Sequence, residues 1–376
     1  MTKRRVYFDN SATTRMAPEV LESMMPFLTE EYGNPSSIHY MGNAAAAALR
    51  KARKQVADSL GCLPSEITFT SGGTESDNLA LIGAAIACRD PSRKRIVTTA
   101  IEHEAVLEAC EELKRRGFDI TVLGVDREGY LDPSILDVAM GDDVCMVSVM
   151  AANNVIGTIE DISELSKVAH EHGALFHTDA VQGYTKMKID VEKDGIDMLA
   201  LSGHKIHAPK GIGALYVRNG TPIVPINYGG GQEKGLRSST ENVPGIVGLG
   251  TAAELAMSTM DEDIRKMTKL RDEIIDDMLG LDGVHLNGPT GERRLCNNTH
   301  FRFEGRKGLD NVIRLSNEGI AVSAASACSA GSTEPSYVLT ALGLSPEQCM
   351  SALRISLSRY NTEDDVRYLA EVMRRI

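Results

Sequence analysis

The sequence of 376 residues lacks the features that mark several classes of protein. No stretch approaches the roughly 18 consecutive apolar residues of a membrane span, and the start, MTKRRVYFDN, lacks the apolar segment of a signal peptide. Lysine and arginine number 40 against 52 aspartate and glutamate, a net charge of -12, spread without long runs of one sign. A nucleic-acid surface needs a basic face. We therefore predict a cytoplasmic protein with no membrane and no direct nucleic-acid partner.

Paired cysteines are lacking as well. The 7 cysteines are an odd number, scattered without a C-x-x-C pair, so neither a disulfide framework nor a zinc knuckle is indicated. The pairs His177 with Asp179, His204 with His207 and His170 with His172 come nearest to metal-ligand pairs. No set of ligands converges on one face, so we expect no metal.

What the sequence does have is a regular alternation of short apolar runs and helical patterns. Strand-like runs occupy 66–71, 95–99, 119–125, 144–150, 174–180, 198–202 and 213–218. Several are apolar at consecutive positions, which is typical of strands covered on both faces. Helical patterns with glycine stops lie between them. This alternation predicts an α/β domain with a mostly parallel seven-stranded sheet.

The length favours two domains. We predict an N-terminal arm at 1–20 that is part of the small domain. The large α/β domain follows at 21–260, and a smaller α+β C-terminal domain at 261–376. The pattern after residue 240 predicts one long helix, either continuous or broken, that bridges the two domains.

The stretch TSGGTES (70–76) follows a strand and opens a helix. Two glycines allow close backbone approach, and the helix N-terminus favours negative charge, so Gly73 and Thr74 indicate a phosphate cradle. The alternative is an ordinary strand-to-helix turn with a Ser or Thr cap.

Two further stretches place reactive side chains at strand ends, where α/β sheets bind ligands. In SGHKIHAPKGIG, Lys205 follows Ser202 and His204, and desolvation there would lower an amine's pKa and permit a covalent link to a carbonyl. The alternative is an inert surface lysine. In HTDAVQ, Asp179 is either a carboxylate aimed at a ring nitrogen or a helix cap, and Gln182 lies one turn on.

Three more residues join these. His103 in EHEAV lies at another strand-to-helix junction, and Asn154 in NNVIG supplies a neutral amide after a strand. Cys328 is surrounded by Ala, Ser and Gly in SAASACSAGSTEPSYVL, a setting typical of a loop. It is either an exposed nucleophilic thiol or an unremarkable loop cysteine.

Together and in this order, the motifs resemble the fold-type I pyridoxal-phosphate enzymes of the class-V aminotransferase family. The similarity is closest to the cysteine desulfurases of the iron-sulfur and tRNA-thiolation type. It covers almost the whole chain, from YFDNSATT (7–14) and YGNPSSIH (32–39) to LRSSTENV (236–243) and ALRISLSRYNTEDDV (352–366).

The resemblance implies a role for each residue. Lys205 would hold pyridoxal 5'-phosphate covalently, Asp179 would pair with its ring nitrogen, and His103 would stack on the ring. Gln182 would contact the ring hydroxyl, and Asn154 and Arg354 would bind the substrate carboxylate. The phosphate would be bound by Thr74, Ser202, His204 and Thr240, the last from a second subunit.

The resemblance also implies the reaction. Cys328 would take sulfur from L-cysteine as a persulfide, leave L-alanine, and pass the sulfur to an acceptor protein, an iron-sulfur scaffold or a tRNA-modifying enzyme. The enzyme would be a homodimer. The alternatives are a selenocysteine lyase, a small-substrate aminotransferase, or a non-catalytic homologue that retains the fold.

Overall fold

The computed structural model describes residues 4–324 and 334–376. Within those residues the main feature is a sheet of seven strands. Its strands are β2 (Ile67–Thr70), β3 (Arg95–Thr99), β4 (Asp119–Leu123), β5 (Val144–Ser148), β6 (Leu175–Asp179), β7 (Met198–Ser202) and β8 (Gly213–Val217).

The strand order is β2-β8-β7-β6-β5-β3-β4. Only β8 runs antiparallel to its neighbours, β2 and β7, while the other adjacent strands are parallel. Every residue of β5 and of β7 is buried, because helices cover both faces of the sheet. The prediction of a mostly parallel seven-stranded sheet in an α/β fold is confirmed.

Six helices of the described chain precede or flank these strands. They are α1 (Pro18–Thr29), α2 (Tyr40–Leu60), α3 (Gly73–Ala87), α4 (Glu104–Arg115), α5 (Pro133–Ala139) and α6 (Ile162–Glu171). Pro18 occupies the first turn of α1, where its missing N–H removes no helical bond. Gly61 ends α2 in the left-handed conformation, with φ of 72°.

The long helix α7 (Val243–Leu279) joins two hydrophobic cores. Ile246 and Leu249 near its start pack into the core beneath the seven-stranded sheet. Leu270 and Ile274 near its end pack into a second core. The long helix predicted after residue 240 is present as α7 without a break, and the domain boundary predicted at residue 260 falls inside it. The division into domains stays a prediction.

The second core supports a three-stranded antiparallel sheet of order β12-β10-β9. The described chain after α7 contains β9 (Val284–Leu286), β10 (Asn298–Phe303), α8 (Gly308–Asn317), β11 (Ile320–Ala321), α9 (Tyr337–Ala341), α10 (Pro346–Met350), β12 (Ala352–Ser356) and α11 (Glu363–Met373). The first strand, β1 (Val6–Tyr7), pairs with β11, and Asp9 bridges to Ser356. The start of the described chain is therefore attached to its C-terminal part.

In the described ranges, no helix combines the length and the apolar character needed to cross a membrane. Nor do His, Cys, Asp and Glu side chains gather there in groups of three or more that could hold a metal ion.

Candidate active site

All but two of the predicted site residues border one cavity of about 240 Å³. They are Gly73, Thr74, His103, Asn154, Asp179, Gln182, Ser202, His204, Lys205 and Arg354. Larger cavities of about 460 and about 1100 Å³ lie elsewhere in the described chain and border none of them. Residues that are far apart in the sequence, from Gly73 to Arg354, thus border the same cavity.

The cavity lies at the edge of the main sheet where the carboxyl ends of its parallel strands are found. Asp179 and Ser202 are the last residues of β6 and β7. Gly73, His103 and Asn154 follow β2, β3 and β5 within a few residues. Because these strands run in the same direction, the residues after them meet at one edge of the sheet, as ligand sites in open α/β sheets do.

Lys205 lies in the short 3₁₀ turn Gly203–Lys205 that follows β7. Its Nζ donates hydrogen bonds to the carbonyl oxygens of Ser11 at 2.5 Å and Ala12 at 2.8 Å. The N-terminal segment therefore crosses the cavity and holds the amine in place. Gln182 contacts the same segment, since its Nε2 donates to the Ser11 carbonyl at 3.0 Å.

Asp179 and His103 are both fixed by backbone N–H groups. Asp179 Oδ1 accepts from the N–H of Val181 at 2.8 Å, and burial raises the pKa of this carboxyl. The ring of His103 caps α4, with Nδ1 accepting from the N–H of Ala105 at 3.1 Å. A neutral imidazole that accepts at Nδ1 carries its hydrogen on Nε2, so the capping contact selects the tautomer.

Asp77 borders the cavity and was missed by sequence reasoning. It lies on α3 one turn after Thr74, and its Oδ1 is buried without a hydrogen-bond partner among the described residues. Burial, with Asp179 and Glu102 nearby, raises the pKa of Asp77 well above its usual range. The sequence does carry a signal for Asp77, because its spacing of three residues from Thr74 places both on one helix face.

The start of α3 forms one end of the cavity. A methyl group added at Gly73 would lie 2.6 Å from Cγ2 of Val181, so a larger residue there would require the Val181 side chain to move. The first turn of an α-helix presents N–H groups that the helix leaves unbonded, and these favour an anion.

His204 lies beside this end, and its Nδ1 is 3.1 Å from Thr13 Oγ1. Burial and the neighbouring Lys205 and Lys210 lower the pKa of His204 to about 4. At neutral pH the residue therefore offers a neutral N–H group to a ligand, and no positive charge.

Arg354 of β12 forms another end of the cavity, beside Asn154 and Asp9. Its side chain is 1% exposed, with Nη1 donating to the Asn154 carbonyl at 2.8 Å and Nη2 to Asp9 Oδ1 at 3.0 Å. Arg354 Nε and Asn154 Oδ1 are buried without hydrogen-bond partners among the described residues. Asp9 was not predicted to contribute, because nothing in the sequence indicates its pairing with β12.

Two predicted residues are not placed at the cavity. Thr240 is exposed and does not border it, so its predicted role in a second subunit stays a prediction. Cys328 lies outside the described residues.

The donors and acceptors at the cavity fit the pyridoxal phosphate that the resemblance implies. An amine, a buried carboxylate and an imidazole lie between an anion-favouring helix start and a buried guanidinium. The unsatisfied Oδ1 of Asn154 and Nε of Arg354 are polar atoms of a kind that a bound molecule would pair, since buried polar atoms in native proteins nearly always have partners. The class of protein that this fold and site define is a pyridoxal-phosphate enzyme.

Comparisons with known proteins agree. The family described as aminotransferase class-V matches residues 6–369. The chain is similar to the cysteine desulfurase IscS of Dictyoglomus turgidum, at 47% identity over 100% of this chain and 95% of the relative. It is similar to the cysteine desulfurase IscS of Methanosarcina thermophila, at 49% identity over 99% and 92%. A solved NifS-like protein superposes with a TM-score of 0.92 at 40% identity, covering 99% of this chain and 100% of that one.

The chain therefore belongs to the class-V aminotransferase family and, within it, to the cysteine desulfurases. This membership confirms the predicted family, the predicted enzyme class and pyridoxal phosphate as the cofactor.

Proposed function

We propose that this enzyme transfers the sulfur of L-cysteine to Cys328 and leaves L-alanine. The observation that carries the proposal is the convergence of Lys205, Asp179, His103 and Arg354 on one cavity at the carboxyl edge of the sheet. Asp179 and Arg354 are buried charged groups, which generally cost stability, and a binding site accounts for both at this place.

In this proposal the cofactor is held at five points. Lys205 binds its aldehyde carbon, and Asp179 pairs with the ring nitrogen and keeps it protonated. His103 stacks on the ring and Gln182 contacts the ring hydroxyl. The phosphate is bound by the first turn of α3 with Gly73 and Thr74, by Ser202 and His204, and by Thr240 of a second copy of the chain in a homodimer.

When bound, pyridoxal phosphate supplies an electron-withdrawing ring that makes the α-hydrogen of an attached amino acid acidic. The protein's own groups do the rest. Arg354 offers several N–H donors to the substrate carboxylate, which a lysine ammonium cannot match in geometry, and Asn154 adds an amide. Lys205 Nζ takes up the α proton, and Lys205 or His103 returns a proton to the carbon skeleton.

The transfer of sulfur completes the reaction. The Cys328 thiolate attacks the substrate sulfur, forming the S–S bond of a persulfide while the bond between Cβ and sulfur breaks. The electron pair of that bond stays with the carbon, which takes up a proton and gives L-alanine. One thiol and one L-cysteine are thus converted to one persulfide and one L-alanine.

The other cysteines support this choice of nucleophile. Burial raises the pKa of Cys62, Cys110 and Cys145 to about 12 and that of Cys296 to about 11. Because the thiolate is the reactive form, thiols with such values react slowly at neutral pH.

The test is to incubate the pyridoxal-phosphate-loaded enzyme with L-cysteine and locate the added sulfur by mass spectrometry. We expect one extra sulfur on the peptide that contains Cys328, together with alanine in equal amount. The variant Cys328→Ala should release no alanine in excess of the uncatalysed rate, while Cys62→Ala, the matched control, should behave as wild type. Extra sulfur on Cys62 or Cys349, or full activity of Cys328→Ala, would contradict the proposal.

We propose that an iron-sulfur scaffold or a tRNA-modifying enzyme accepts the sulfur. Its identity is tested by labelling the persulfide with radioactive sulfur and mixing the loaded enzyme with one purified acceptor of each kind. Label that moves to one acceptor identifies it, and label that stays on Cys328 with both excludes both. The homodimer is tested by sedimentation, where a monomer with full cofactor occupancy would exclude a role for Thr240 across an interface.

A further inference from the structure

Lys186 is a buried lysine for which the reaction described above has no use. It lies one helical turn after Gln182, in the segment between β6 and β7, and is 8% exposed. Its Nζ donates to the backbone carbonyl of Gln182 at 3.2 Å and to that of Lys205 at 3.2 Å. Lys188, two residues on, is by contrast 80% exposed in its side chain.

Both hydrogen bonds of Lys186 go to uncharged backbone carbonyls. Moving an ammonium group from water to such a site costs free energy, and an apolar side chain would avoid that cost. A function of the ammonium therefore explains this lysine better than packing does. Burial lowers the pKa of Lys186 to about 8, opposed by the nearby Cys296, so the protonated form prevails at neutral pH.

We infer that Lys186 is a positioning residue for the cofactor site, tying the turn that carries Gln182 to the turn that carries Lys205. The inference rests on the roles proposed above for Gln182 and Lys205. The two turns follow different strands, β6 and β7, and the ammonium of Lys186 bonds to both backbones at once. It therefore fixes the distance between the amine of Lys205 and the amide of Gln182.

The charge of Lys186 also acts on the site. It contributes to the lowered pKa values of His204 and His207. The titratable and charged groups packed around Lys186 are Cys296, Lys205, His207, Asp263 and Arg359, of which the last two form an ion pair with each other at 2.5 Å. A positive charge here disfavours a further proton on the nitrogen of Lys205.

The experiment compares Lys186→Met with Lys186→Arg and with Lys188→Met, the matched control at an exposed position. For each protein the dissociation constant of pyridoxal phosphate from the apo-protein and the pH midpoint of the bound cofactor's visible absorbance are measured. Borohydride reduction of the wild type, followed by peptide mapping, first establishes that the cofactor is attached to Lys205.

We expect Lys186→Met to bind the cofactor about tenfold more weakly, since two carbonyls lose their donor and the turns separate. We expect its absorbance midpoint to rise by roughly half a pH unit or more, since a nearby positive charge is lost. Lys186→Arg should restore most of both properties, and Lys188→Met should change neither.

The inference is overturned if Lys186→Met keeps the wild-type dissociation constant and midpoint and loses only thermal stability. Should that variant fail to fold, Lys186→Gln, which keeps one neutral donor, is measured in the same way with the same criterion. A wild type whose Lys205 carries no reduced cofactor would instead contradict the proposed function itself, so the two failures are distinguishable.

Discussion

The two ends of the cavity are assembled in different ways. At the end that we propose binds the cofactor, Gly73, Asp179 and Lys205 lie at or just after the ends of strands that run in one direction in a single sheet, which brings them together. At the substrate end, Asp9 and Arg354 come from opposite ends of the chain and meet through a bridge between Asp9 and Ser356. The first arrangement follows from a repeating pattern, whereas the second depends on tertiary contacts between the two ends of the chain.

The comparison predicts the largest loss when the amine of the cofactor end is removed. Lys205→Ala should lower kcat for alanine formation by at least about 10³-fold, because it removes the proposed covalent anchor and the proposed proton carrier. Borohydride should then fix no cofactor to the protein. Lys210→Ala, at the exposed lysine of the following turn, should retain activity and labelling. Equal losses in the two variants would contradict the assignment.

The next effect concerns the two carboxyl groups of the cofactor end. Asp179→Asn should lower kcat by about 10²-fold to 10³-fold, since a neutral amide cannot balance a protonated ring nitrogen. Burial raises the pKa of Asp77 well above its usual range, which favours the uncharged acid that an amide resembles, so Asp77→Asn should change kcat by less than about threefold. A larger loss in Asp77→Asn than in Asp179→Asn would reverse the two roles.

The substrate end should respond in KM. Arg354→Lys removes donors to the substrate carboxylate and leaves the Asn154 carbonyl or Asp9 without a partner, which should lower kcat/KM for L-cysteine by about 10²-fold. The cofactor's absorbance should stay unchanged. The control is Arg302→Lys on the adjacent strand β10, which does not border the cavity. Loss of cofactor in Arg354→Lys would show that the two ends are not separable.

The smallest effect is one of stability against pH. Burial raises the pKa of Glu102, beside His103, from 4.5 to about 8. The folded protein therefore keeps this proton up to about pH 8, while the unfolded chain releases it near 4.5. The free energy of unfolding contributed by this group consequently falls as pH rises through that interval, by at most about 1.4 kcal/mol per pH unit.

The variant Glu102→Gln should reduce that slope in urea unfolding of the apo-protein measured from pH 5 to pH 8. The exposed Glu104→Gln should leave it unchanged. Identical slopes for wild type and Glu102→Gln would mean that the buried carboxyl ionises normally.

The difference between the two ends also explains what the sequence could predict. The seven strands were found because helices on both faces make their apolar runs continuous. Lys205, Asp179 and His103 were predicted because each lies at or shortly after the end of such a run. Asn154 was noted as an amide after a strand, but its role, like Arg354 altogether, was predicted only through resemblance to a family.

Other contacts were not predictable. The Ser11 carbonyl, Asp9 and Lys186 act through backbone groups or through residues far away in sequence, and no local pattern reports such pairings. Helical spacing places Asp77 beside Thr74, but only the tertiary structure brings its carboxyl close to Asp179.

The carbonyl of Ser11 has a consequence for biosynthesis. It accepts hydrogen bonds from both Lys205 and Gln182, and the segment that carries it is anchored to β12 near the other end of the chain. A growing polypeptide on the ribosome that has completed the large sheet still lacks this anchor. We therefore expect stable uptake of the vitamin-derived group to wait until translation has passed β12, so that truncated products of the large sheet alone do not sequester it.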